Sequence, residues 1–226
     1  LNALTVNIGD QGESMKIETL VVGYLKTNCY VVYDGSGNAA VIDPGADADR
    51  ILDFLREKSL DLKYIFLTHG HFDHIMAVPE LKNSTGAKVV IAEGDAESLK
   101  RADRSLANMV SMDQQPVEPD LLATDGSCYE IGEMRFTYIL TPGHTPGSAV
   151  IICGNAMFSG DTLFEDDCGR CDLPGGDYAE MLRSLRKLYA LVGDYDVYPG
   201  HDVKTTLSRE RSYNVNMLEA VRSTEG

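Results

Sequence analysis

Short runs rich in β-branched and aromatic residues alternate with longer runs of helical period along this chain. Residues 16–23, 28–33 and 39–43 read as strands, separated by turn residues such as Asp34-Gly35-Ser36-Gly37. Residues 47–58 place Ile51, Leu52 and Leu55 on one face and acidic residues early, which predicts a helix. A strand is expected at 63–67, a helix at 74–84 that Pro79 disturbs, a strand at 88–92 and a helix at 94–101. The stretch 105–125 has weak periodicity and reads as loop with short helix. Strands then return at 128–131, 134–140, 148–153 and 156–160. An amphipathic helix over 178–191 carries Met181, Leu182, Leu185, Leu188 and Tyr189 on its apolar face, and a strand at 195–198 and a closing helix over 204–222 follow. No repeat at solenoid spacing is visible. Strands and helices fall into two successive groups, 16–101 and 128–222, so the expected architecture is α/β, with two sheets facing each other and helices outside.

Composition narrows the class. The chain has 226 residues, 43% hydrophobic and 24% charged, enough to bury a sizeable core without disulfides. No apolar run reaches the length of a membrane span. Residues 1–14 lack a basic start followed by an apolar block, so no secretory signal is expected there. They read as an N-terminal extension or expression remnant, with Met15 the natural start and the functional domain running from 15 to 226. The net charge of −15 repels phosphate backbones, and no run of Lys and Arg offsets it, which argues against nucleic acid as partner or substrate. Five cysteines, an odd count without a signal peptide, point to reduced thiols in a cytoplasm. Cys168-Gly-Arg-Cys171 is a lone C-x-x-C without a second pair, and no functional role is expected of it.

The chemistry concentrates in Thr68-His69-Gly70-His71-Phe72-Asp73-His74, just after the strand 63–67. In an extended turn, residues two apart point the same way. His69 and His71 therefore reach one point, while Asp73 and His74 project towards a second at the helix entrance. The bland alternative is a polar loop with chance histidines, but the whole chain holds only five, and three lie in this cluster. The remaining two occupy similar places: His144 follows the strand 134–140 in Thr141-Pro142-Gly143-His144-Thr145-Pro146-Gly147, and His201 follows 195–198 in Tyr198-Pro199-Gly200-His201. Asp161 follows 156–160 in Ser159-Gly160-Asp161. Polar groups at strand ends are well placed for a rim site on a rigid scaffold.

These motifs, T-H-x-H-x-D-H, T-P-G-H-T-P-G-S, S-G-D and P-G-H in that order, resemble the metallo-β-lactamase superfamily from about residue 16 onward. Leu173-Pro174-Gly175-Gly176-Asp177 and the His144 turn look most like its glyoxalase II-like branch, whose members hydrolyse thioesters such as hydroxyacylglutathione. The resemblance implies a four-layer αββα sandwich of two mixed β-sheets. It implies one metal held by His69, His71 and His144, a second held by Asp73, His74 and His201, and Asp161 bridging both. Asp73 and Asp161 would then also be the catalytic carboxylates. Asp43, in Val41-Ile42-Asp43-Pro44-Gly45, matches an aspartate that supports the site without ligating; it also reads as an ordinary turn residue. Two departures stand out. His74 is followed by Ile75-Met76-Ala77 where the family often has a Gly-Gly pair, and residues 202–226 leave room for one helix where the longer enzymes carry a basic helical region that holds glutathione. The chain is thus similar to the short, single-domain members.

The ligand set is nitrogen and oxygen without thiolate, which suits two divalent ions: zinc first, with iron and manganese also compatible. The implied mechanism is attack of a metal-bridging hydroxide on a carbonyl. A small-molecule thioester is favoured because a thiol, of reference pKa about 8.5, departs without a strong general acid. Lactones and phosphodiesters, with alkoxide leaving groups, are favoured less. The rival enzyme is a persulfide dioxygenase holding one iron through His69, His144 and Asp161, a 2-His-1-carboxylate face. A flavin-linked oxygen reductase ranks lower because no flavodoxin-like domain is attached. A metal-binding scaffold without catalysis ranks last, since the ligand set is complete.

Overall fold

A computed structural model describes residues 15–223; the extension expected at 1–14 lies outside the described residues. The first sheet runs in sequence order. It contains β1 (Lys16–Val22), β2 (Thr27–Tyr33), β3 (Asn38–Ile42), β4 (Asp61–Phe66), β5 (Lys88–Ala92) and β6 (Leu121–Ala123). β1, β2 and β3 pair antiparallel, while β3 through β6 pair parallel. The second sheet is built from β7 (Cys128–Ile131), β8 (Met134–Leu140), β9 (Ala149–Cys153), β10 (Ala156–Gly160), β13 (Asp196–Pro199) and β14 (Thr205–Thr206), in the order β14-β13-β10-β9-β8-β7. Its pairs are antiparallel except β10 with β13, so both sheets are mixed. A small hairpin, β11 (Leu163–Phe164) with β12 (Asp167–Cys168), follows β10.

The period-two pattern explains how the layers close. In β2 every residue is buried, and its side chains split between two cores. Tyr30 and Val32 join Ile42, Phe66, Phe136, Tyr138, Ile151 and Phe158 between the sheets. Cys29 and Val31 face the other way, with Val41, Ile65 and Val89, against α1 (Ala48–Glu57) and α3 (Val78–Thr85). On the far side, Val150, Ile152 and Val197 meet Met181, Leu185 and Leu188 of α4 (Tyr178–Tyr189), Leu207 of α5 (Leu207–Tyr213) and Met217 of α6 (Val215–Arg222). The result is the four-layer αββα sandwich. Each fully buried large side chain contributes about 1.5–3 kcal/mol relative to exposure, so the three apolar layers hold the molecule together. No helix among the described residues is long and apolar enough to cross a membrane.

Four segments differ from the expectation. The helix read at 74–84 is two: α2 (Phe72–Ile75), then α3, with a break where Ala77 N–H donates to Pro44 O at 3.0 Å. Pro79 does not disturb α3, because it sits in the first turn, where its missing N–H has no intrahelical partner to lose. The segment read as a helix at 94–101 is a 3₁₀ helix, Glu93–Leu99. The stretch 105–125 contains a short 3₁₀ helix, Ala107–Val110, and ends in β6, which extends the parallel part of the first sheet. The closing helix divides at Asn214, whose backbone is extended and whose side chain accepts from Asn216 N–H and Met217 N–H to cap α6.

Candidate metal centre

β3, β4 and β5 are parallel, and so are β8, β10 and β13 through their shared neighbours. The candidate residues all follow the carboxyl ends of these strands, where α/β sheets leave room for ligands. Asp43 follows β3, the 69–74 loop follows β4, His144 follows β8, Asp161 follows β10 and His201 follows β13. The cluster therefore straddles both sheets at one end of the sandwich.

All five histidines converge there. His69, His71 and His144 have donor atoms within 4.8 Å of one another, as do Asp73, His74 and His201. These are the two triplets that the family resemblance implies. Asp161 lies between them: its Oδ2 is 3.5 Å from His144 Nε2 and 3.7 Å from His201 Nε2, and its Oδ1 is 3.5 Å from His74 Nε2. His201 Nε2 is 3.2 Å from Asp73 Oδ2.

A third triplet within the same 4.8 Å limit contains Asp43, His69 and His74. The oxygens of Asp43 are already engaged. They accept from Thr68 N–H at 2.8 Å, Thr68 Oγ1–H at 2.6 Å and His74 Nδ1–H at 3.0 Å. Because Thr68 Oγ1 gives its proton to Asp43, it accepts from His69 Nδ1–H at 3.2 Å. One carboxylate thus sets the tautomers of two imidazoles and leaves both Nε2 atoms facing the cluster. His144 is fixed in the same sense, its Nδ1–H donating to Arg170 O at 2.8 Å. Asp43 adopts φ +52°, a left-handed conformation that its hydrogen bonds hold in place.

The result is a set of buried lone pairs without hydrogen-bond partners. His69 Nε2, His144 Nε2 and Asp161 Oδ1 are buried and accept no hydrogen bond. Unpaired buried polar atoms of this kind are rare and call for an occupant. The charges agree. Burial, then repulsion from His74 and His71, holds the His69 pKa well below its ordinary value. Burial, then His144 and His74, brings His71 to about 3. Burial also opposes a charge on His74, but Asp73, Asp161 and Asp43 outweigh it and lift that pKa to about 10. The carboxylates therefore call for positive charge, and neutral imidazoles stand ready to share it. The donor set fits divalent metal ions.

Close packing keeps the geometry. A Cβ on Gly200 would lie 2.3 Å from Asp161 Oδ1 and 2.7 Å from His74 Cε1; one on Gly45 would lie 1.5 Å from Asp73 O. Both positions must be glycine for the loops to close on the cluster.

Several supporting residues escape a reading of the sequence. Asp95, buried after β5, accepts from Gly70 N–H at 2.8 Å, Gly147 N–H at 2.8 Å and Thr145 Oγ1–H at 2.7 Å, tying the 69–74 loop to the His144 turn. Asn28 Nδ2 donates to Pro199 O at 3.0 Å and Tyr30 Oη donates to the same oxygen at 2.6 Å, so the first sheet holds the His201 turn of the second. Thr27 Oγ1 donates to Asp73 Oδ2 at 3.3 Å. For Thr27, Asn28 and Tyr30 the only local signal is polarity inside an otherwise apolar strand. The cysteines of the C-x-x-C are free thiols outside the cluster, and burial pushes Cys168 up to about 12. Their loop nevertheless supplies the Arg170 carbonyl.

A two-sheet sandwich with a nest of histidines and aspartates at its strand ends defines a class of metal-centre proteins. The chain belongs to the metallo-beta-lactamase superfamily, whose family model matches residues 22–201. It is 34% identical to the hydroxyacylglutathione hydrolase GloC of Haemophilus influenzae, a match covering 88% of this chain and 97% of that protein. Among solved structures it is similar to BLEG-1, a B3 metallo-beta-lactamase, at TM-score 0.84 and 31% identity over 89% of this chain and 99% of that one. It is also similar to TTHA1623, solved in a di-iron-bound form, at TM-score 0.79 and 33% identity over 88% and 98% of the two chains.

Proposed function

We propose that the protein is a metal-dependent hydrolase of thioesters of the hydroxyacylglutathione type, with residues 15–226 as its catalytic domain. The observation that carries this reading is the set of buried lone pairs on His69, His144 and Asp161 that accept no hydrogen bond, with the opposite ring nitrogens of the histidines tied off. On this reading His69, His71 and His144 hold one divalent ion, Asp73, His74 and His201 hold a second, and Asp161 serves both. Zinc suits this set, as do iron and manganese. Bound there, such ions supply a water acidic enough to ionise near neutral pH and polarise a substrate carbonyl.

The chain's own residues do the rest. Asp43, Thr68 and Arg170 O fix the imidazole tautomers, and Asp73 and Asp161 place negative charge beside the reacting water. No histidine is left outside the cluster to protonate a leaving group. A thiol, of reference pKa about 8.5, leaves as thiolate without that help, whereas an amide nitrogen or alkoxide needs a proton. This favours thioesters over lactones and phosphodiesters. The likeness to GloC supports the same choice. Five free cysteines suit a reducing, cytoplasmic setting.

The test is metal analysis of protein purified without added metal, together with thiol release from S-lactoylglutathione and a simpler thioester. Close to two ions per chain and metal-dependent thiol release are expected. One iron per chain, no thioester cleaved and oxygen uptake driven by a persulfide would replace this reading with the dioxygenase.

A further inference from the structure

A cavity of about 110 Å³ opens beside the metal centre, lined by His71, Ser98, Thr145, Pro146, Pro174 and Arg104 among others. Sites that swallow a whole small ligand run to roughly 300–1,000 Å³, so this one takes a single arm of a substrate. Buried His71 joins the cavity to the cluster, and Arg104 is exposed to solvent. Among the described residues Arg104 is the only Arg or Lys lining it.

The two carboxylates on the cavity wall are already engaged. Asp95 is buried and accepts three hydrogen bonds. Asp103 is gripped by Arg101 through Nε at 3.1 Å and Nη2 at 2.8 Å. The guanidinium of Arg104 makes no hydrogen bond or ion pair with any described residue, and feels Asp103 only at longer range. Its backbone is held in place. Phe72 N–H donates to Ser105 O at 2.9 Å, and Phe72 packs with Leu106 and Ala107 in one apolar cluster. The residue after His71 is thus bonded to the residue after Arg104, which fixes the arginine's backbone relative to the cluster. On a chain of net charge −15, an unpaired guanidinium at this place draws anions that the rest of the surface repels.

We propose that Arg104 recognises a carboxylate on the substrate, which makes the substrates acidic thioesters; this rests on the thioesterase reading above. A planar guanidinium is always charged and pairs with carboxylate through two parallel hydrogen bonds. The pairing fixes one arm of the substrate in the cavity while the thioester carbonyl faces the cluster. It governs binding and leaves the bond-breaking step to other groups.

The test measures binding by calorimetry on the metal-loaded protein with two matched pairs of product analogues. 3-Mercaptopropionate against 3-mercaptopropionamide places the carboxylate on the thiol half, and glutarate against glutaramate places it on the acyl half. In one pair the acid should bind about tenfold more tightly than the amide. Arg104→Gln should bring that ratio near one, and Arg104→Lys should keep part of it. For S-acetyl-3-mercaptopropionate, if the thiol pair responds, Arg104→Gln should raise KM about tenfold with kcat nearly unchanged. An acid preference absent from both pairs, or present but unchanged in Arg104→Gln, overturns the assignment. Protein that cleaves no thioester yet shows an Arg104-dependent acid preference sinks the thioesterase reading and leaves the carboxylate site standing.

Discussion

Asp43 Oδ2 lies 3.0 Å from His74 Nδ1, and both side chains are fully buried. The same oxygen accepts from Thr68 Oγ1–H, so one atom orients imidazoles on both sides of the cluster. Asp43→Asn keeps the shape but turns an amide towards His74 Nδ1–H or Thr68. Metal affinity should fall about ten- to a hundredfold, as is usual when the partner of a ligating histidine is lost. Metal titration against a competing chelator measures this. Unchanged affinity would mean that Asp43 is only a turn residue.

Deleting one histidine from each triplet separates the mechanisms. In a two-metal hydrolase, His201→Ala should lose one ion and about a hundredfold or more in turnover, and His144→Ala should do at least as much harm. In a one-iron dioxygenase, His144→Ala loses the iron while His201→Ala keeps both iron and substantial activity. Metal content and turnover of both variants decide. A His201→Ala protein with full thioesterase activity and one ion fewer would refute the two-metal mechanism.

The His74 pKa, lifted to about 10 without metal, sets a pH dependence for loading. Below that pH the ring holds a proton that an incoming ion must displace. Apparent affinity should therefore rise with pH, by up to about tenfold per unit for each proton released, and flatten as pH passes the raised pKa. Calorimetry in buffers of different ionisation enthalpy counts the protons. Zero release at pH 7.5 would contradict the raised pKa of His74.

Asp95→Ala leaves buried Gly70 N–H and Gly147 N–H without acceptors. Each such group costs about 1–3 kcal/mol, which for a domain of this size lowers Tm by several degrees. Because the bonds join two ligand-bearing loops, metal retention at low free metal should fall as well. A lower Tm with unaltered metal binding would restrict Asp95 to a structural role.

His69, His71, Asp73 and His74 fall within six residues after a strand, so their shared direction is visible in the sequence. His144, Asp161 and His201 become legible only as a set, since each alone looks like a turn residue. Asp95 was not legible because its three donors lie 25, 50 and 52 residues away, and nothing local separates it from a surface carboxylate. Strand pattern sufficed for β1 to β5 and β7 to β10, where short apolar or alternating runs are bounded by turn residues. β6 and β14 are three and two residues long, too short to show a period, and exist through pairing with the strand beside each. The breaks at Ala77 and Asn214 were hidden for a related reason, because a tertiary hydrogen bond and a side-chain cap overrule an otherwise continuous helical pattern.

The cluster spans the chain from residue 69 to residue 201, and its last member comes just after β13. Synthesis delivers domains from the N-terminus, at about 5–20 residues per second. The first sheet can therefore assemble while His201 is still unmade, presenting His69, His71, Asp73 and His74 on an open edge. On the two-metal reading, capture of the full complement would then be a late event in the life of each molecule. A chain interrupted before β13 would display unfinished imidazoles to whatever cations the cell holds.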